Sequence, residues 1–381
     1  MTVRDSDADS GAPTVHFDRR SFLATGAATA GAALAGCIGG SGSSTPTINV
    51  LTWEHYARDD IKSAVESELD VELEIKKSTS SANMFSGWKS GQDEEYDIAV
   101  PNNNYVPKFV DAGLVAPAPL DDLSNYGSIY DQFEQFTDSQ LSRDGQAYGV
   151  PIRFGWYGYG YDSRDVPDHE ESWSVLFEGV EGADLSNKVA LYDNHFKAMG
   201  AAALHLGYRD AFEGDRVSLS QKQIDEVKRV LVEQKKEYLS GYIAGDASFT
   251  KGIKKGDFHV GHSGRMNLTI LWNNDNDWAK MASPKEGAMS WFEAAVVSKK
   301  SENQDLAWEI VDEYISPENG ATLSRVGHAP SVNPKVENHL DEKNNRLYGS
   351  VDPERLNGMI PFKAVENEDA WRSAWEEVKT A

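Results

Sequence analysis

The first residue with chemistry to offer in this sequence is its single cysteine. Cys37 closes the run Leu34-Ala35-Gly36-Cys37, in which small residues would admit a signal peptidase and leave a thiol that can be acylated. Upstream stands Asp18-Arg19-Arg20-Ser21-Phe22-Leu23, and paired arginines before a mild apolar segment read as a twin-arginine export signal. A lone free cysteine more often ends up in a core. Here it sits where a lipobox needs it, so residues 1–37 are expected to be a signal with Cys37 as the lipidation site. Everything after Cys37 is then expected on the outer face of the cytoplasmic membrane or in the periplasm.

Other reactive constellations are missing. The sequence holds no Gly-x-Ser-x-Gly elbow, no His-Glu-x-x-His and no Gly-rich loop ending in Lys-Ser/Thr. Gly155 to Gly160 has the wrong spacing for a dinucleotide fingerprint. His259 and His262 fall on an expected strand and its turn, face differently and would chelate poorly. No catalytic residue, metal or cofactor is therefore assigned. A secreted hydrolase built on scattered Asp, Glu and His remains the alternative from another functional class.

Composition narrows the partners. Formal charge is −24, from 61 acidic and 37 basic residues, which argues against a phosphate backbone as ligand. Acidic runs such as Asp93-Glu94-Glu95 read as solvated surface, and so acidic an exterior suits high external salt, as in a halophile. The apolar run Ser21 to Gly36 is short of the roughly 20 residues a spanning helix needs. With one cysteine no intramolecular disulfide can form, so stability must come from cores that 10 Trp, 15 Tyr and 14 Phe can fill.

The elements that must position any site follow in order. Residues 38–46 are a Gly/Ser linker. Ile48–Trp53 and Val71–Ile75 read as strands, and Ile61, Ala64, Val65 and Leu69 share one helix face. Ser81–Lys89 reads as a helix, Tyr96–Val100 as a short buried strand, with another helix starting near Tyr105. Gly149–Gly155 reads as a crossing strand continued by Trp156–Tyr161, whose aromatics pack on both faces. Val189–Tyr192 is expected as a strand before a helix His195–Gly207. Ile224, Val227, Val230 and Leu231 mark another helix, and Phe258–His262 a strand before a turn at Ser263–Arg265. Met289–Val297 returns as a strand, and helices at Asp305–Tyr314 and Asp369–Val378 close the chain. Strands alternating with helices imply a mostly parallel sheet covered on both faces, with ligand beyond the strands' carboxyl ends.

Several pieces, in this order and spacing, resemble the solute-binding proteins of ABC importers, specifically the spermidine/putrescine-binding branch. They are Trp53-Glu54-His55-Tyr56, then Tyr96-Asp97-Ile98-Ala99-Val100-Pro101 with Tyr105-Val106, and Ser172-Trp173-Ser174-Val175-Leu176-Phe177. Pro284-Lys285-Glu286-Gly287 with Trp291, and Gly327-His328-Ala329-Pro330-Ser331-Val332-Asn333, complete the set. The resemblance implies a two-lobed, periplasmic-binding-protein-like (type II) α/β fold with hinge-crossing strands and a ligand cleft. Lobe 1 would be residues 47–152 plus 290–335, and lobe 2 residues 153–289 plus 336–381. Crossings are expected at Pro151–Gly155, at Ala288–Phe292 and near Lys335. Such a protein captures a small solute, a polyamine first of all, hands it to permease subunits and acts as a monomer. A solute-sensing subunit without transport is a further possibility.

The resemblance also implies site residues. Trp53, Tyr56 and Trp291 match aromatic positions, while Glu293 and Asp193 match acidic ones. Asn102 and Asn104 lie on the rim beyond the third strand. Several positions depart. His55 replaces a Glu, Lys197 stands where a second ammonium-binding Glu is expected, Gly264-Arg265 falls on a Trp position, and Asn104 and His328 replace tyrosines. Lys197, Arg265 and a nearby Arg153 would repel a polycation and suit a carboxylate or phosphonate, the runner-up ligand. Each also has a plainer reading: tryptophans in a core, carboxylates on a surface, cations in intralobe salt bridges, asparagines as helix caps.

Overall fold

The computed structural model describes residues 45–381 apart from Ser350. Cys37, the expected signal and most of the linker lie outside the described residues. The first strand, β1 (Thr47–Thr52), buries Ile48, Val50 and Leu51 and pairs in parallel with β2 (Glu72–Lys77) and β3 (Ile98–Ala99). Between β1 and β2 the helix Asp59–Leu69 turns Ile61 and Val65 inward and ends at Asp70, whose φ of 51° stops the spiral. The helix Ser81–Lys89 begins where Ser80 accepts a hydrogen bond from the Asn83 amide.

The long strand β4 (Val150–Asp162) carries the chain from one hydrophobic core to another. Its Val150, Ile152, Phe154 and Trp156 lie in a first core with Ile48, Ile98, Phe133 and Phe292. Tyr159 lies in a second core with Val189, Val227, Met289 and Trp371. The aromatic run is packed strand, as its alternation implies. Beyond it come β5 (Val189–Tyr192), the helix α1 (His195–His205), β6 (Leu239–Ile243) and β7 (Val260–Gly264). Then follow helix α2 (Arg265–Asn273), β8 (Ala279–Ala282) and β9 (Met289–Val297). Strand β9 returns through both cores, with Met289 in the second and Phe292 to Val297 in the first.

The sheet runs β2-β1-β3-β9-β4-β7-β5-β6, with β8 on β4 and a short β10 (Ile360–Pro361) on β9. Its two ends are parallel, as expected. The centre is antiparallel instead: β9 opposes β3 and β4, and β4 opposes β7 and β8. The reason is that both long strands must run between the same two cores, one outward and one back.

Three expectations change. Ser263–Arg265 is not a turn: β7 extends through Gly264, opposite Tyr157, and Arg265 opens α2. Glycine lets the two strands approach closely there: a Cβ would lie 3.1 Å from the Tyr157 ring, which would have to shift by a few tenths of an ångström. The crossing expected near Lys335 falls later. Helix α3 (Pro317–Gly327) packs against α4 (Glu342–Tyr348), and Leu356 and Met359 lie in the first core, whereas Ile360 and Phe362 lie in the second. Finally, β6 and α3 have no counterpart in the sequence reading, although Ser316-Pro317 at the start of α3 is a usable cap signal. The last helix, α5 (Glu368–Thr380), buries Trp371, Ala374, Trp375 and Val378 as the stripe predicts.

Candidate solute-binding cleft

Side chains alternate along a strand, so Arg153, Gly155 and Tyr157 of β4 share one face. Strand β9 runs beside it with Glu293 opposite Arg153, Trp291 opposite Gly155 and Met289 opposite Tyr157. Gly155 is required here, because a Cβ would sit 2.7 Å from Cζ2 of Trp291. Toward this face point the carboxyl ends of four strands. Trp53, His55 and Tyr56 follow β1, Asn102 follows β3, Lys197 lies in the first turn of α1 after β5, and Arg265 follows β7. That convergence is where open α/β sheets bind ligands.

At one end of the face Glu293 is fully committed to the protein. Arg153 donates to it twice, from Nε at 2.6 Å and from Nη2 at 2.9 Å. The Tyr56 hydroxyl donates at 2.8 Å, and the His55 ring lies 3.4 Å away. Arg153 spends Nη1 on the Gly327 carbonyl at 2.8 Å, beside His328. Both charged side chains are about 4% exposed, so the pair is buried and fully partnered. Burial by itself would raise the Glu293 pKa, but the charges of Arg153 and His55 outweigh it and hold the carboxyl at about 2. Burial and Arg153 push the His55 pKa down. The Arg153 guanidinium also lies 5.6 Å from the Trp291 ring. The backbone of Asn102 pairs with that of Glu293 in an isolated antiparallel β-bridge, which sets the end of β3 beside the cluster.

At the other end stands an aromatic cage. The Lys197 ammonium sits 3.9 Å from the Tyr157 ring centroid and 4.2 Å from that of Tyr192, and donates to the Tyr157 hydroxyl at 2.7 Å. Tyr157 stacks on Phe362, and behind it His262 is enclosed by the rings of Tyr157, Trp173 and Tyr192. Arg265 lies 5.1 Å from Trp156 and 5.8 Å from Trp272 and donates to the Thr269 hydroxyl in its own helix. Among the described residues no carboxylate pairs with it. Burial and the charge of Arg355 push its pKa down to about 10, which still leaves it protonated. His328 hydrogen-bonds the Tyr348 hydroxyl at 3.0 Å, and Tyr348 in turn feels the Arg265 charge. At the end of β1 the Thr52 hydroxyl and the Trp53 indole N–H are buried without partners among the described residues.

Two expected site residues lie elsewhere. Asp193 accepts from the Trp375 indole at 3.3 Å and pairs with Lys379 at 3.4 Å, which turns it toward α5. Asn104 lines a groove with Ser139, Asp215 and Lys363 instead of joining the Glu293 cluster. Nor do these asparagines cap a helix with their side chains. The buried Asn103 accepts from the Phe292 amide and donates to the Phe362 carbonyl, joining the two cores. Sequence reasoning missed Asn103, Tyr157 and Tyr192 as contributors. It noted Arg153 as a nearby cation but not as the partner of Glu293. The usable signal was one charge in the buried run Val-Pro-Ile-Arg-Phe, which demands a counter-charge. His259 pairs with Asp165 at 3.0 Å, away from His262.

Residues 61–346 match the family model described as bacterial extracellular solute-binding protein. The chain belongs to this family. Among relatives of the solute-binding protein is the putrescine-binding periplasmic protein SpuD of Pseudomonas aeruginosa, 22% identical over 91% of this chain and 96% of its own length. The spermidine/putrescine-binding periplasmic protein of Escherichia coli is 20% identical over 80% of this chain and 82% of its own. In three dimensions the solute-binding protein resembles PotD, a spermidine/putrescine transporter substrate-binding protein from Streptococcus pneumoniae. The TM-score is 0.73 at 19% identity, covering 88% of this chain and 99% of that one. The Tp0655 lipoprotein of Treponema pallidum gives a TM-score of 0.73 at 17% identity, over 88% and 100% of the two chains. The two-lobed fold expected from the sequence is therefore the fold of this solute-binding protein. Among its described residues no helix is long and apolar enough to cross a membrane.

Proposed function

We propose that this protein is the substrate-binding component of an ABC importer, capturing a small organic solute in the cleft over Trp291 and passing it to permease subunits. The observation that carries the reading is the convergence of four strand ends on the face shared by β4 and β9, in a chain of the solute-binding family. Function is capture and closure, with no bond made or broken. In this reading lobe 1 is built on the first core and lobe 2 on the second, and β4, β9 and the chain near Met359–Ile360 form the hinge.

Polyamines are what the named relatives bind, and putrescine and spermidine are the first ligands to test. A solute carrying a carboxylate is the second reading, favoured by Arg265, which no described carboxylate neutralises. Calorimetric titration of the purified full chain in high salt should show saturable one-to-one binding without turnover. Product formed from any titrated solute would favour the hydrolase alternative.

Export by the twin-arginine route and tethering at Cys37 belong to the same proposal, since a tether raises effective concentration beside the permease. Cells fed labelled lipid precursor should label the parent and not Cys37→Ala; equal labelling removes the anchor.

A further inference from the structure

Parallel strands sort the two outer ends of this fold. The carboxyl ends of β1, β3, β5 and β7 lead to the cleft face, so their amino ends lie away from it. In the first half of the sheet those outer ends are acidic: β2 is entered through Asp70, and β3 through Glu94 and Glu95. In the second half they are basic. Lys188 precedes β5, Lys235 and Lys236 lie in the last turn of the helix Gln221–Glu237 before β6, and Lys254 and Lys255 close the helix Asp246–Lys255 before β7. These three entries are contiguous. The Val189 amide donates to the Tyr238 carbonyl at 2.9 Å, and the His259 amide to the Lys188 carbonyl at 2.9 Å. The Lys188 ammonium donates to the Gly256 carbonyl at 2.9 Å, at the end of the helix Asp246–Lys255.

Much of the charge on this rim is not spent inside the protein. Lys251, Lys254 and Lys255 are exposed and stand at the i, i+3 and i+4 positions that share one helix face, while Phe249 and Ile253 turn inward beside Ile243 and Leu268. Among the described residues these three lysines, and the exposed Lys236, make no salt bridge and no hydrogen bond through their ammonium groups. The helix dipole accounts for cations in the last turn, Lys254 and Lys255, but Lys251 stands a turn earlier. Carboxylates at these entries are Asp165, paired with His259, Asp184, which accepts from the Ser186 amide, and the exposed Glu237 and Asp257. They leave the rim positive in a chain whose formal charge is −24.

We infer that this lysine rim, centred on Lys251, Lys254 and Lys255, is a docking surface for an anionic lipid membrane. Lysine carries a compact charge on a long flexible stem, which suits a plane of many phosphate groups; a single bound oxyanion calls for arginine forks. The same plane repels Asp70, Glu94 and Glu95 at the opposite end, so complementary charge also sets which end meets the lipid. The surface lies away from the cleft and is independent of which solute is captured.

The test mixes the full chain with vesicles of phosphatidylglycerol or of phosphatidylcholine and maps lysine acetylation by mass spectrometry. Phosphatidylglycerol should protect Lys251, Lys254 and Lys255 about threefold or more, with no protection of the exposed Lys76 on β2 and none of any of them by phosphatidylcholine. Replacing the three together as Lys251→Gln, Lys254→Gln and Lys255→Gln keeps helix propensity, and circular dichroism checks the fold. That variant should cosediment with phosphatidylglycerol about tenfold or more weakly than the parent. Residues 1–44 are common to both chains, so binding through them cancels in the comparison. Raising salt from about 0.1 M to about 1 M shortens the Debye length from about 10 to about 3 Å and should shrink the difference. Equal sedimentation of parent and variant overturns the inference, as does protection that spreads equally to Lys76. Protection of the rim by polyglutamate and not by phosphatidylglycerol overturns it too, and assigns the surface to an acidic protein partner.

Discussion

Replacing Arg153 with methionine should cost the protein about 3–5 kcal/mol, the usual penalty when one partner of a buried pair is removed. The loss is large because four segments meet at this pair: β4 through Arg153, β9 through Glu293, the turn after β1 through Tyr56 and His55, and the end of α3 through the Gly327 carbonyl. Urea unfolding at neutral pH reads the effect as a lowered midpoint. The pH dependence makes the prediction sharper. In the parent, Glu293 is held at about 2 when folded and near 4.3 when unfolded. Its contribution is therefore fully present above about pH 4.3 and is lost as pH falls toward 2. In Arg153→Met the burial that opposed ionisation is no longer outweighed, so the folded carboxyl titrates above its unfolded value and the variant gains relative stability on acidification. The gap between parent and variant should thus be widest near neutrality and close in acid. A gap that stays constant from neutral pH down to pH 3 would show that the lost packing, not the charge, is responsible. Removing both partners as Arg153→Met with Glu293→Leu should recover most of the loss, short of about 1 kcal/mol for the stranded Tyr56 hydroxyl.

His262 should make the protein acid-sensitive over a higher range. Its ring is 0% exposed, enclosed by Tyr157, Trp173 and Tyr192, and neither ring nitrogen has a hydrogen-bond partner among the described residues. Burial first, and the Lys197 charge second, push its pKa down to about 3. The unfolded chain takes up this proton near pH 6.5 and the folded chain only near 3, so stability is intact above 6.5 and falls as pH drops through that window. The slope approaches about 1.4 kcal/mol per pH unit once the pH is well below 6.5, which amounts to about 2 kcal/mol between pH 6.5 and 4.5 for this one group. His262→Phe keeps a ring in the aromatic cavity and cannot titrate. Unfolding free energies measured at pH 7 and pH 4.5 should differ by about 2.5 kcal/mol less in the variant than in the parent. Equal differences would mean that His262 is protonated in the folded state and that the enclosure opens in acid.

The two sites differ in how far the sequence exposes them. Periodicity located the main strands and helices of both cores within one or two residues, because each buries one clean face: Ile61 and Val65 in the first, Val227 and Leu231, Trp371 and Trp375 in the second. Trp291 and Tyr56 were legible from local motifs, since a strand end fixes where its next residues point. Glu293 was legible as a residue and not as a role, because its role is set by Arg153, 140 positions away on the other crossing strand. Asp193 illustrates the opposite failure. Its place at the end of β5 suits a cleft, yet Trp375 and Lys379 of the C-terminal helix claim it.

The amino-acid sequence by itself determined the two-lobed α/β class, the pair of crossing strands, the family and the expectation of an anchored, exported chain. These rest on local patterns, apolar spacing and short motifs, which one segment carries alone. Tertiary structure alone decided which charges are free. Whether Arg153 repels a ligand or neutralises Glu293, and whether Lys197 faces solvent or lies between Tyr157 and Tyr192, depends on strand register and on side chains brought together from distant segments. Electrostatic roles are pairwise and short-ranged, so they exist only once the pairs have formed.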